Sequence, residues 1–204
     1  MSVEESELLS AEERQRRNEV IRDLLAKLDA HAPGERAHAE RVAVYAVATG
    51  EAMGLSDEEL LVLRYAAQLH DIGKLQIDGE LLVADRPLEP LERVLLEKHV
   101  HMAEEVLPVE AFLEPSLPLI KSHHERWSGE GYPEGASGTE IPLGARIIGA
   151  AEALDVMLAG APWRKPFPEE AAIAAMKGLG GTWFDPIVVE TLLRIQPLIQ
   201  PLRA

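Results

Sequence analysis

The chain has 204 residues, 47% of them apolar and only 4% aromatic, which suits one domain with an aliphatic core and favours helices over sheets. It contains no cysteine, so disulfides, thiolate nucleophiles and Cys-held zinc are excluded. The formal net charge of −15 argues against a duplex nucleic-acid partner, which calls for a basic face. A small anionic substrate stays open, because bound cations set the local field at a site.

The start, MSVEESELLSAEE, lacks the basic flank and apolar stretch of a signal peptide. The most apolar run, 141–163, is interrupted by Arg146, Glu152 and Asp155, so a buried helix is expected there, with no membrane span, in a cytoplasmic protein. Residues 11–30 place Val20, Ile21, Leu24, Leu25 and Leu28 at helical spacing, behind a Ser10/Glu13 capping box. Residues 1–19 are taken as a helical lead-in and 20–204 as the domain proper. This first helix is assigned to completing the bundle, with homodimerisation as its alternative use.

After the break at Ala32-Pro33-Gly34, a second helix runs from about 35 to 53 and stops near Gly54. Ser56 with Glu59 opens a third, ending at His70-Asp71-Ile72-Gly73. Residues 74–88 are expected to be irregular. Pro90 suits the first turn of one helix over 89–107, followed by a kinked or split one near 109–122 that contains Pro115 and Pro118. Residues 125–140, with four glycines, form a long loop; helices near 142–159 and 168–178 follow, and a last one starts at Asp185-Pro186. The predicted architecture is all-α, a single helical bundle with a long Gly-rich loop after a His-His pair.

Five of the seven histidines fall on that framework in a way that points to metal chemistry. His70 shares the apolar face of Leu63, Ala66 and Ala67, and the neighbouring Asp71 would be costly to bury without a cation, although a plain His-Asp pair at a helix end is the simpler alternative. On a continuous helix His99 falls on the stripe of Leu91, Leu95, Met102 and Val106, while His101 lies on the flank and is expected at the surface. His123 and His124, adjacent ahead of a Gly-rich loop, have no packing rationale, and the nearby Glu125 is a candidate to orient them. The tryptophan and tyrosine of that loop, Trp127 and Tyr132, can stack on a base or a partner surface. Glu152 and Asp155 share a helix face; bracing of neighbouring helices is the alternative to a cation. With His38, these groups can converge on two neighbouring divalent cations, the signature of a hydrolase.

HAERV at 38–42, AAQLHDIGK at 66–74, EKH at 97–99, HHERWSGEGYP at 123–133, IPLGARI at 141–147 and GTWFDP at 181–186 occur in order. With these landmarks the chain resembles the HD-GYP subfamily of HD-domain phosphohydrolases over roughly residues 20–195. The resemblance implies a bundle of the HD-domain type and a phosphodiesterase that opens cyclic di-GMP to a linear dinucleotide or GMP. It implies His38, His70, Asp71, His99, His123 and His124 as metal ligands, with Asp71 bridging two cations, iron or manganese first and zinc, nickel or cobalt as alternatives. It also implies a metal-activated hydroxide as nucleophile and Lys74 on the scissile phosphate. Arg126, Tyr132 and Arg164 join Lys74 as candidates for binding substrate.

The chain departs from the family pattern at several points. The last ligand, an Asp in the family, is Glu152 in AEALDV, with Asp155 matching the second Asp of the motif. Three-metal members carry a glutamate where this chain has Gly34, which favours two metals. An arginine and a lysine of the family stand here as Ala161 and Ala84. These losses admit a second reading, in which another cyclic dinucleotide or a nucleotide phosphate ester is the substrate. A third makes the chain a catalytically weak signalling module whose Gly131–Pro133 loop binds a protein partner.

Overall fold

The computed structural model describes residues 10–161 and 164–199, and among them the regular structure is helical, with no strand. Helix α1 (Ala11–His31) begins where Ser10 accepts a hydrogen bond from the Glu13 amide. Only this half of the expected capping box forms, because the Glu13 carboxylate turns to Arg16 and Arg17. The helix buries Ile21, Leu24, Leu25 and Leu28 in the main core, which is the packing role assigned to it. Gly34, at a left-handed φ of 98°, then turns the chain into α2 (Glu35–Ala52).

Helix α2 is the hub: it packs on α1, on α3 (Asp57–Leu69), on α8 (Leu143–Ala159) and on α10 (Pro186–Ile199). Its Ala39, Val42, Tyr45 and Ala46 are fully covered, and small residues there let the neighbours approach closely. The Ser56/Glu59 capping box of α3 forms in both directions. A 3-10 turn, Ile72–Gln76, and a short helix α4 (Gly79–Leu82) give residues 74–88 more order than expected.

The single helix expected over 89–107 is two, α5 (Pro90–Glu97) and α6 (His99–Val106), broken at Lys98. The His99 ring takes the Leu96 carbonyl at 2.6 Å, the acceptor that an unbroken helix would offer to the Val100 amide. Leu91 and Leu95 of the expected apolar stripe are 79% and 49% exposed, and α5 buries none of its residues. His99 is instead buried through α6, together with Val100 and Ala103. Pro115 and Pro118 leave only a 3-10 turn and α7 (Leu117–Ser122) from the helix expected at 109–122. The remaining element is α9 (Glu169–Leu179).

Two glycines decide how closely the site's backbones meet. A Cβ on Gly73 would lie 1.9 Å from the His99 carbonyl oxygen, and one on Gly149 would lie 2.5 Å from that of His123. Only glycine lets the Asp71 turn rest on α6 and lets α8 rest on the end of α7. We expect Gly73→Ala and Gly149→Ala each to cost about 1–3 kcal/mol, as a lower urea midpoint at unchanged slope. Gly178→Ala, with open space around the added methyl, should not destabilise the chain.

Candidate metal centre

Helices α2, α3, α6, α7 and α8 each send side chains to one point. His38 comes from the first turn of α2, His70 caps the end of α3, and Asp71 follows it. His99 opens α6, His123 caps the end of α7 with His124 next, and Glu152 projects from α8. The rings touch in series: His38–His70 at 5.2 Å, His70–His123 at 5.1 Å, His99–His123 at 5.5 Å and His123–His124 at 4.0 Å between centroids. His101 is exposed and takes no part, as expected.

The donor atoms form two sets, each with all members within 4.8 Å of one another. One set is His38, His70, Asp71 and Glu152; the other is Asp71, His99, His123 and His124. Asp71 is common to both. Its Oδ2 lies 3.0 Å from His70 Nε2 and 3.9 Å from His38 Nε2, and its Oδ1 lies 3.3 Å from His99 Nε2. Glu152 Oε2 stands 4.0 Å from His123 Nε2 and 3.9 Å from His124 Nδ1, so its longer side chain reaches toward the second set as well.

Local backbone fixes the tautomers. His70, His99 and His123 each donate Nδ1–H to the carbonyl three residues back, those of Ala67, Leu96 and Ile120, at 2.6–2.8 Å. These are carbonyls at helix ends, which lack an amide partner from the helix itself. On the neutral rings of His99 and His123 each Nε2 then carries a lone pair aimed inward, and His70 Nε2 offers one once the ring has lost its second proton, which a cation would displace. His70 Nε2, His99 Nε2, His123 Nε2 and Asp71 Oδ1 are buried without a hydrogen-bond partner. Four such atoms are expensive for a protein alone, and divalent cations held by the two sets would relieve them. The imidazole and carboxylate donor set fits such a cation.

Electrostatics divide the groups by role. Burial opposes charge on Asp71, yet His70, Lys74 and His99 hold its carboxyl well below the usual range. Burial also opposes charge on His70, but the Asp71 carboxylate overrides it and raises the ring to about 9. Burial lowers His99 to about 4 and takes His123 and His124 well below the ordinary imidazole value, leaving three neutral donors. Glu152 is pushed up by burial. Asp155 is held down against its burial, first by hydrogen bonds from His38 and Arg41.

The remaining expected residues sort by contact. Asp155 accepts from His38 Nδ1 at 2.8 Å and from both arms of Arg41 at 2.7 and 2.8 Å, so it orients His38 and stands outside both donor sets. Glu125 does not orient the histidines. Its Oε1 accepts from the Glu134 and Gly135 amides and braces the glycine-rich loop. Lys74 Nζ bridges Asp71 Oδ2 at 2.7 Å and Glu35 Oε1 at 3.0 Å, and burial of its ammonium is overridden by these two carboxylates, which raise it. Tyr132 stacks on His124 at 4.8 Å, and burial raises its phenol. Arg126, Tyr132 and Arg164 line one cavity of about 270 Å³ with His123, His124 and Glu152. Trp127 is not among its lining residues and sits 5.8 Å beneath Arg146 instead. Of the stretch 161–164, Pro162 and Trp163 lie outside the described residues.

Sequence reasoning missed Glu35, Arg41 and Trp183. HAERV contains Arg41 three residues after His38, the helical spacing that lets both meet Asp155. Glu35 and Trp183 carried no such signal.

The HD domain family model matches residues 19–188. A cyclic di-GMP phosphodiesterase response regulator of Xanthomonas campestris is 33% identical over 197 residues, covering 95% of this chain and 52% of that protein. A 3'3'-cGAMP-specific phosphodiesterase of Vibrio cholerae is 35% identical over 159 residues, covering 78% and 35% respectively. The fold is shared with an HDG"Y"P protein from Bdellovibrio bacteriovorus at a TM-score of 0.65 and 19% identity, over 78% of this chain and 51% of that one. The chain belongs to the HD domain family, and its motifs are of the HD-GYP type. It spans about half or less of the length of these relatives.

Two predictions follow from the geometry. Asp71→Ala should lose all bound metal, whereas Asp155→Asn should weaken it about 10–100-fold by freeing His38, both read by metal analysis after dialysis against graded chelator. In metal-stripped protein the folded state keeps His99 neutral down to about 4, while an unfolded histidine protonates near 6.5. The unfolded state therefore binds more protons in that window, and stability is lost as the pH falls from about 6.5 towards 4. Urea midpoints across the window should fall, and a His99→Leu variant should show a shallower acid limb.

Proposed function

We propose that the chain is a binuclear metal-dependent phosphodiesterase that hydrolyses cyclic di-GMP to a linear dinucleotide or GMP, with iron or manganese as its cations. The observation that carries this reading is the Asp71 carboxylate shared by two donor sets, surrounded by inward Nε2 atoms without partners. His38, His70, Asp71 and Glu152 would hold one cation, and Asp71, His99, His123 and His124 the other. When bound, the cations supply Lewis acidity that acidifies a water and draws charge from the phosphoryl oxygens.

The chain's own residues do the rest. Lys74 keeps a positive charge between Asp71 and Glu35, beside the carboxylate that the two donor sets share. Arg126 and Arg164 bring guanidinium groups to the cavity, and their planar forks suit phosphate oxygens. Tyr132, held as the neutral phenol, offers an O–H donor beside His124. The walls Ala153, Val156, Met157 and Leu179 exclude water from one side of the cavity, strengthening each of these interactions.

The cyclic di-GMP relative carries the substrate assignment, and the cGAMP-specific relative carries the second reading, in which a mixed cyclic dinucleotide is preferred. Ala84 and Ala161 remove two cations of the family pattern, a loss that bears equally on both cyclic dinucleotides and leaves a nucleotide phosphate ester as a further alternative. The test is hydrolysis of cyclic di-GMP and 3'3'-cGAMP by anaerobically purified protein loaded with iron(II) or manganese(II), with metal quantified. We expect turnover near two metals per chain, with cyclic di-GMP the faster substrate. Two bound metals with neither compound hydrolysed would remove the reading.

A further inference from the structure

Trp183 has no part in either donor set, yet it lines the same cavity as His124 and Glu152. It is 42% exposed, and the neighbouring aromatic ring of Phe184 meets it in a T-shaped contact at 6.4 Å. The Arg126 guanidinium lies 3.6 Å from the centre of its ring, a close stack of two planar groups. Arginine on one face of an indole leaves the other face for a second planar system.

The segment's structural work is done by its backbone. The Trp127 amide donates to the Trp183 carbonyl at 3.0 Å and the Ser128 amide to the Thr182 carbonyl at 2.8 Å. These two bonds tie residues 179–185 to the loop that carries Tyr132, and neither needs the indole. The indole is therefore available to the cavity, on a segment clamped to the loop that carries Tyr132. At about 270 Å³ the cavity sits just below the usual range for small-molecule sites, roughly 300–1,000 Å³. That is room for one nucleotide arm rather than for a whole dinucleotide.

We infer that Trp183, buttressed by Arg126, is a stacking platform for one purine base of the substrate, and so a residue that favours base-bearing ligands beside the metal centre. The inference rests on the nucleotide substrate proposed above. Every base has a π-face, so the platform supplies affinity for a nucleobase without selecting among purines.

The test compares GMP with ribose 5-phosphate as ligands of the manganese-loaded protein, by calorimetry. Both carry a phosphate for the metals and arginines, and only GMP carries a base. GMP should bind on the order of tenfold to a hundredfold more tightly. Trp183→Ala should abolish that difference by weakening GMP towards ribose 5-phosphate, with the thermal midpoint showing that the fold is kept, and Trp183→Phe should keep most of it. Equal binding of the two ligands by the unmodified protein, absence of GMP binding, or a preference that survives Trp183→Ala would each overturn the platform. Cyclic dinucleotide turnover by the unmodified protein is read separately. Base-dependent binding without turnover keeps the platform and rejects the phosphodiesterase, and turnover with an unaltered KM in Trp183→Ala does the reverse.

Discussion

The buried carboxylate of Asp71 sets the terms for everything around it. It is 2% exposed, at the end of a helix, against an aliphatic core. Removing an isolated ion from water costs several kcal/mol even after relaxation, so the group exists there only because it is surrounded by partners. Lys74 supplies charge at 2.7 Å, His70 does so at 3.0 Å while no cation is bound, and Glu35 holds Lys74 in turn. One Asp71 oxygen faces the His38 and His70 side and the other faces His99. A single carboxylate thereby joins two otherwise separate sets of donors, and the five helices that meet at it are arranged by that requirement.

Helix ends are the device that makes the arrangement rigid. His70 and His123 stand at the C-terminal ends of α3 and α7, and His99 stands at the break between α5 and α6. Each ring satisfies a carbonyl that helix geometry leaves without an amide, and in doing so fixes its own tautomer and orientation. The C-terminal ends of α3 and α7 also carry partial negative charge, which favours a cation at the point where they converge. Gly73 and Gly149 let the backbones of these ends come into contact, so the spacing of the donors is set by main chain rather than by flexible side chains.

Residue patterns in the sequence made most of the donor set legible, because adjacent His-Asp and His-His pairs at helix ends are costly for packing and useful for metal. The break at Lys98 was not legible. It arises from the His99 ring competing for the Leu96 carbonyl, a local hydrogen bond that a helical wheel does not represent. His99 was singled out on a stripe of which Met102 and Val106 pack inward while Leu91 and Leu95 face solvent. Glu125 looked suited to orient its histidine neighbours, but a carboxylate one residue away points elsewhere, to amides nine and ten residues on. Trp127 and Trp183 show the same limit. Proximity in sequence to the histidines favoured the first, whereas the fold delivers the second to the cavity.

The two carboxylates of α8 show how one helix face can serve two purposes. Asp155 is short, fully buried and saturated by His38 and Arg41, which holds it ionised and commits it to orienting His38. Glu152, one turn earlier, has no such partner and is pushed towards its neutral form by burial. A group poised that way gains most from a cation, because coordination supplies the counter-charge that its surroundings withhold. Its additional methylene, relative to the aspartate of the family pattern, brings Oε2 within about 4 Å of both His123 and His124. The substitution therefore keeps a carboxylate at the junction of the two donor sets, and α8 retains its close approach to His123 through Gly149 beneath it.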